Sequence, residues 1–121
     1  MAHFVGVDII ELARIEKAAN RWGERFFRRI YTETELKLCH SRTGALATRF
    51  AGKEAVMKVL GTGARGVAWR EIEILHYRSG KPYIKLHNRA QIEAEKSGIK
   101  EIDISLSHSL EYATATAIGV T

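Results

Sequence analysis

The chain is poor in the residues that build disulfides and closed metal cages. Its 121 residues include one cysteine, Cys39, so no intrachain disulfide can form, which fits a reducing compartment. No Cys-x-x-Cys and no Cys/His pair suggests a zinc site. No apolar run approaches the ~20 residues of a membrane span. The N-terminal stretch MAHFVGVDIIELARIEK has a carboxylate inside its short apolar run and no basic lead-in, so it is not expected to be a signal peptide. Internal repeats, low-complexity segments and linkers are missing too. A chain of this length suits a single domain, residues 1–121, with a real core. A cytoplasmic protein is the expectation.

Negative charge is also in short supply. Nineteen Lys and Arg face fourteen Asp and Glu, a formal net charge of +5. The excess points to an acidic partner: nucleic acid, a phosphorylated small molecule or an acidic protein. Residues 14 to 29 hold six basic residues and two acidic ones. Arg14, Lys17, Arg21, Arg25 and Arg28 would fall within about 80° of one another if one helix ran through Gly23. A charged stripe is usually only a solvated face, but this one has a single sign. The interleaved Trp22, Phe26 and Phe27 read as core rather than as base-stacking groups.

Residues 4 to 9, FVGVDI, are β-branched and aromatic and predict a short strand. Alternation puts Phe4, Gly6 and Asp8 on one face and Val5, Val7 and Ile9 on the other. Helices are expected over 11–22, over about 24–30, from the Thr32/Glu35 capping box to about His40, and over about 45–60 up to Gly61. WREIEILHY and PYIKLH read as a hairpin. NRAQIEAEKSG reads as a short helix with Asn88 as N-cap and Gly98 past its end. EIDISLSHS and YATATAIGV read as two more strands. The fold class is α+β, a mainly antiparallel sheet packed against helices.

The stretch RFAGKEAVMKVLGTG stands out because its helix is apolar or small nearly all round. Leu46, Phe50, Met57 and Leu60 share one face. Ala47, Ala51 and Ala55 line another, where a neighbouring element can come close. Glu54 and Lys58 are spaced i, i+4 within it. The bland reading is a surface ion pair worth ~0.3–0.5 kcal/mol. An apolar setting argues otherwise, because a carboxylate there is costly unless paired or metal-bound. Asp8 is the second anomaly, either an N-cap for the next helix or a ligand. Asp8 and Glu54 together supply two hard oxygens, which suits Mg²⁺ completed by water and phosphate.

GTGARG, with Gly61, Gly63 and Gly66, has the letters of a dinucleotide fingerprint in the wrong setting. It follows a helix instead of a strand. It reads as a helix stop and turn, or as a loop that lets a ligand approach its backbone. Ser107 and His108 alternate to opposite faces, so they form no nucleophile–base pair. His108 reads as a core-edge residue or a phosphate contact at the strand's end.

GVDIIELARI, the Phe26–Glu35 stretch, RFAGKEAVMKVLGTG and SLSHS together resemble the holo-[acyl-carrier-protein] synthases, short members of the 4'-phosphopantetheinyl transferase superfamily. The resemblance runs in order over nearly the whole chain. It implies the 4'-phosphopantetheinyl transferase fold. It also implies transfer of phosphopantetheine from coenzyme A to a serine of an apo-acyl carrier protein, releasing adenosine 3',5'-bisphosphate, in fatty acid biosynthesis. Carried over by position, Asp8 and Glu54 would hold Mg²⁺ and Lys58 would neutralise pyrophosphate charge. Ser107 and His108 would contact coenzyme A, and the basic face with Arg14, Arg21, Arg25 and Arg28 would dock the carrier. A homotrimer with active sites between subunits is implied, with no nucleic acid and no membrane. Gly63 is expected where coenzyme A lies close. Arg49 and Lys53 are further candidates for phosphate contacts, Lys53 having snorkelling as its bland alternative. Glu54 is the candidate base for the serine proton. A basic nucleic-acid-binding module and a trimeric scaffold without activity are the competing readings. The first leaves Asp8 and Glu54 unexplained.

Overall fold

Branched residues at alternate positions make the first strand, β1 (His3–Glu11), longer at both ends than its apolar core suggests. The computed structural model describes residues 2–121, apart from the side chains of residues 64 and 65. Two helices follow, α1 (Leu12–Trp22) and α2 (Glu24–Ile30). Between them Gly23 takes φ 53° and ψ −128°, which breaks the run. The basic residues of 14–29 are therefore spread over two helices and do not form one continuous stripe. Helix α3 (Glu33–Cys39) starts with the expected capping box at Thr32 and Glu35. The long helix α4 (Thr43–Leu60) stops at Gly61, in the left-handed region at φ 73° that glycine adopts freely. A single turn, α5 (Gly63–Gly66), comes next.

Strands β2 (Ile72–His76) and β3 (Pro82–Leu86) form the expected hairpin. Residues Trp69–Glu71, expected as strand, are a 3-10 turn. The cause is Glu71. Its carboxylate accepts from Ala68 N and from Arg89 N, both at 2.6 Å, and so curls the chain. The same carboxylate corrects the start of α6 (Asn88–Lys96). His87 holds the N-cap position and makes no side-chain cap, because Glu71 satisfies a free N–H of the first turn from across the fold. Asn88 is the next residue in, at φ 47°.

Strands β4 (Glu101–His108) and β5 (Tyr112–Val120) complete a three-stranded antiparallel sheet in the order β1-β5-β4. Asp8 lies opposite Ala115, and Ser107 opposite Thr114. The architecture is α+β with antiparallel sheets against helices, as the element order suggested. Among the described residues, no helix is long and apolar enough to cross a membrane.

Helix α4 is the centre of the fold, packed between the three-stranded sheet and β2. Ala47, Ala51 and Ala55 are fully buried, as are Ala113 and Ala117 on the sheet. Gly6 shows how close the layers come. A Cβ there would lie 2.0 Å from Ala55 O and 3.1 Å from Lys58 Cβ. On the other side, a Cβ on Gly52 would meet Ile74 Cδ1 at 2.6 Å. The small residues of α4 and β1 thus let helix backbone and strand backbone touch.

Candidate active site

That contact assembles the carboxylates. Alternation turns Asp8 inward with Gly6, while periodicity turns Glu54 and Lys58 of α4 toward β1. Asp8 does not cap α1; Glu11 holds that position without a side-chain bond. Instead, Asp8 Oδ1 accepts from Lys58 Nζ at 3.3 Å, and the same ammonium donates to Val7 O at 2.7 Å. An ammonium has three N–H donors, and these contacts use two.

Glu54 sits half-buried beside this pair. Burial pushes its carboxyl above the usual carboxylate range, and the charge of Asp8 adds to the shift. Lys58 and, more weakly, Arg14 of α1 oppose it. The Glu54 carboxylate, half-buried and set against a second one, is costly to ionise, the condition a divalent cation relieves. Among the described residues no cluster of three or more His, Cys, Asp or Glu surrounds a point. The donor set is therefore an open, two-carboxylate one. It fits Mg²⁺ that keeps waters and substrate phosphate as its other ligands, and it does not fit a closed protein cage.

A cleft of about 210 Å³ lies against this group, lined by Glu54, Met57, Lys58, Gly63 and Trp69. Gly63 thus stands where a ligand would pass close to backbone. Trp69 stacks on Phe50, with ring centroids 4.6 Å apart. Both rings also line a second groove of about 530 Å³ with Ala18, Trp22, Phe26 and Ile30, with Arg25 and Arg29 beside it. Trp22 is 49% exposed, contrary to its reading as core, whereas Phe26 and Phe27 pack against the core. The guanidinium carbons of Arg21 and Arg25 lie 4.9 and 5.9 Å from the centre of the Trp22 ring. Arg28 is paired with Glu24 at 3.1 Å on the surface.

The structure brings Asp8, Glu54, Lys58 and Gly63 together, with Arg14 close enough to act on Glu54. It does not bring in the others within one chain. Arg49 is 8% exposed and donates to Ile74 O (3.2 Å) and Ala45 O (3.4 Å). Its position on α4 is half a turn round from Lys58. Lys53, also on that side, is neither snorkelling nor free for phosphate: it is fully buried against Glu35. Burial lowers its affinity for the proton, and the Glu35 carboxylate opposes the fall. His108 packs over the first turn of α4, where a Cβ on Gly44 would meet its ring at 2.6 Å. Ten residues of helix separate Gly44 from Glu54, roughly 15 Å along the axis. Ser107 faces the outer side of the sheet, opposite to His108, as alternation required. Sequence reasoning missed Met57 and Trp69 as cleft walls. Met57 read as core and Trp69 as strand, and only the 3-10 turn aims the indole at the cleft.

The family model described as the 4'-phosphopantetheinyl transferase superfamily matches residues 4–117. The holo-[acyl-carrier-protein] synthase of Herpetosiphon aurantiacus is 46% identical, over 95% of this chain and 96% of its own length. The crystal structure of the holo-[acyl-carrier-protein] synthase from Neisseria meningitidis superposes with a TM-score of 0.90 at 34% identity, covering 98% of each chain. The Helicobacter pylori holo-[acyl-carrier-protein] synthase, solved in complex with coenzyme A, gives a TM-score of 0.88 at 29% identity, covering 96% of this chain and 99% of its own. The chain, with its paired carboxylates on β1 and α4, belongs to the holo-[acyl-carrier-protein] synthases of the 4'-phosphopantetheinyl transferase superfamily.

Proposed function

We propose that the protein moves 4'-phosphopantetheine from coenzyme A to a serine of an apo-acyl carrier protein and releases adenosine 3',5'-bisphosphate. The observation that carries this reading is the Asp8–Glu54 pair with Lys58 beside an open cleft, in a chain whose relatives are named for this reaction. The serine oxygen attacks the phosphorus that bears pantetheine. The P–O bond to the adenosine bisphosphate breaks, and the serine proton passes to a base. Such transfers depend on positioning and charge neutralisation more than on covalent help from the enzyme. The nucleophile comes from the partner, so the chain needs no triad of its own.

Asp8 and Glu54 would hold Mg²⁺, which supplies Lewis-acid polarisation of pyrophosphate oxygens when bound. Lys58 has one N–H left to reach a pyrophosphate oxygen and offset the charge that grows on the leaving group. Glu54, directly or through a water, takes the serine proton; its raised affinity for a proton suits that task. Arg14, Arg21 and Arg25 form a basic docking face for an acidic helix of the carrier, beside the groove walled by Trp22 and Phe26. Arg28 contributes less, since Glu24 already pairs with it.

The separation of Ser107 and His108 from the carboxylates supports a site shared between copies. A neighbouring subunit would bring them to the donor nucleotide, in keeping with the homotrimer that the family resemblance implies. A nucleic-acid-binding module accounts for the positive charge but leaves the carboxylate pair without a role. The test is direct. The protein is mixed with Mg²⁺, coenzyme A and an apo carrier, and the carrier is weighed by mass spectrometry. A gain of one phosphopantetheine is expected, at a rate that falls with added salt because the docking charges are screened. No gain with several carriers overturns the proposal.

A further inference from the structure

We propose that the buried Glu35–Lys53 ion pair is a positioning device for the transfer site. It rests on the reading of Asp8 and Glu54 as the reacting centre. Lys53 Nζ donates to Glu35 Oε1 (2.8 Å), Trp69 O (3.1 Å) and Ile72 O (2.5 Å). Three donors thus meet three acceptors. Glu35 in turn accepts from Thr32 N at 2.9 Å and from Ile74 N at 3.0 Å. Both side chains are 0% exposed. One pair therefore ties together α3, α4, β2 and the turn at Trp69.

Stability alone gives little reason for this arrangement. Removing two charges from water costs about as much as their attraction returns, and apolar residues of similar volume are often equal or better. What the pair does is directional. Successive residues on a helix are about 100° apart, so holding Lys53 toward α3 turns Glu54 toward β1 and Asp8. The carbonyl that Lys53 grips belongs to Trp69, whose indole walls the cleft opposite Glu54 and Lys58. A single ammonium thereby fixes the azimuth of the helix that carries two reacting groups and the position of the wall that faces them. Lys53 and Glu35 touch no substrate and act through Glu54 and Trp69.

The test is the double variant Glu35→Gln with Lys53→Met, which removes both charges while leaving an amide carbonyl to accept from α3 or β2. A lower melting temperature is expected, because Trp69 O and Ile72 O lose their donor, with KM for coenzyme A of the folded protein within about threefold. The expected kcat is lower by about tenfold or more, with a higher Mg²⁺ concentration needed for half-maximal rate. A folded double variant with wild-type kcat and Mg²⁺ requirement overturns the proposal, as does a lowered melting temperature with unchanged kcat in the folded fraction. Should the double variant not fold, Phe50→Leu decides. It loosens the ring under Trp69 and spares the ion pair, and a kcat reduced severalfold is expected; an unchanged kcat overturns the proposal. The wild-type reaction run in parallel separates the two readings. If it transfers nothing, both fall; if it transfers and the variant matches it, this one falls alone.

Discussion

Glu54 is asked to be charged where its surroundings resist charge. Its carboxyl is raised by burial and by Asp8. A group whose folded pKa lies above its unfolded value stabilises the fold fully below the ordinary carboxylate range, and that contribution is lost as pH rises through the folded value. Glu54→Gln is therefore expected to melt at or above the wild type in metal-free buffer at neutral pH. Its advantage should shrink on acidification toward the ordinary carboxylate range, as Glu54 takes up its proton in the folded chain. The same variant should lose about 100-fold or more in transfer rate, because the proposed base and metal ligand would go together. Wild-type turnover in it would remove Glu54 from the chemistry. Asp8, Glu54 and Lys58 were legible in the sequence because each breaks an apolar pattern and two of them are one helical turn apart. Lys53 and Arg49 break the same pattern but were not separable from phosphate ligands. The acid that holds Lys53 is 18 residues away in a different helix. The partners of Arg49 are backbone carbonyls, which no side-chain pattern records.

Between elements, the decisive contact is the seam where β1 lies on α4. Gly6 was legible only as a glycine inside a strand; that it faces Ala55 O without room for a methyl group follows from the packing of two distant segments. Gly6→Ala is expected to push the strand off the helix. Overpacking of this kind costs about 1–3 kcal/mol, to be read as a lower denaturation midpoint. Transfer should fall further than the folded fraction does, because Asp8 moves away from Glu54 and Lys58. An alanine variant with wild-type stability and rate would show that the seam yields. Helix and strand identities came through because their periods are long and regular: the α3 capping box, the α4 stop at Gly61 and the last two strands all stand where the pattern put them. The exceptions, Trp69–Glu71 and the start of α6, share one cause. Glu71 acts on both from outside their own segments.

At the scale of the molecule, the outer face of the sheet is apolar along β1, while its β4 side, with Glu101, Asp103, Ser105 and Ser107, is polar. Val5, Val7 and Ile9 are 60%, 56% and 61% exposed, and Ile118 lies across from Val5 on the same face. A patch of this kind marks an association surface. On the proposed shared site, Val7→Lys, on the open face of β1, is expected to shift the protein to single chains in sedimentation, with transfer lost because Ser107 and His108 would no longer meet a neighbour's carboxylates. A wild-type protein that sediments as a monomer and turns over at full rate would remove the shared site. The pairing of β1 has one more consequence. Among the described residues, the sheet partner of β1 is β5 alone, and Ala2 and Thr121 are tied to each other at the open end of that ladder. On the ribosome the strand that carries Asp8 emerges before α4 and must wait for β5, which follows both. Until β5 is made, Asp8 lacks the ladder that seats it against Glu54 and Lys58, so transfer is expected only from a chain whose β5 is in place.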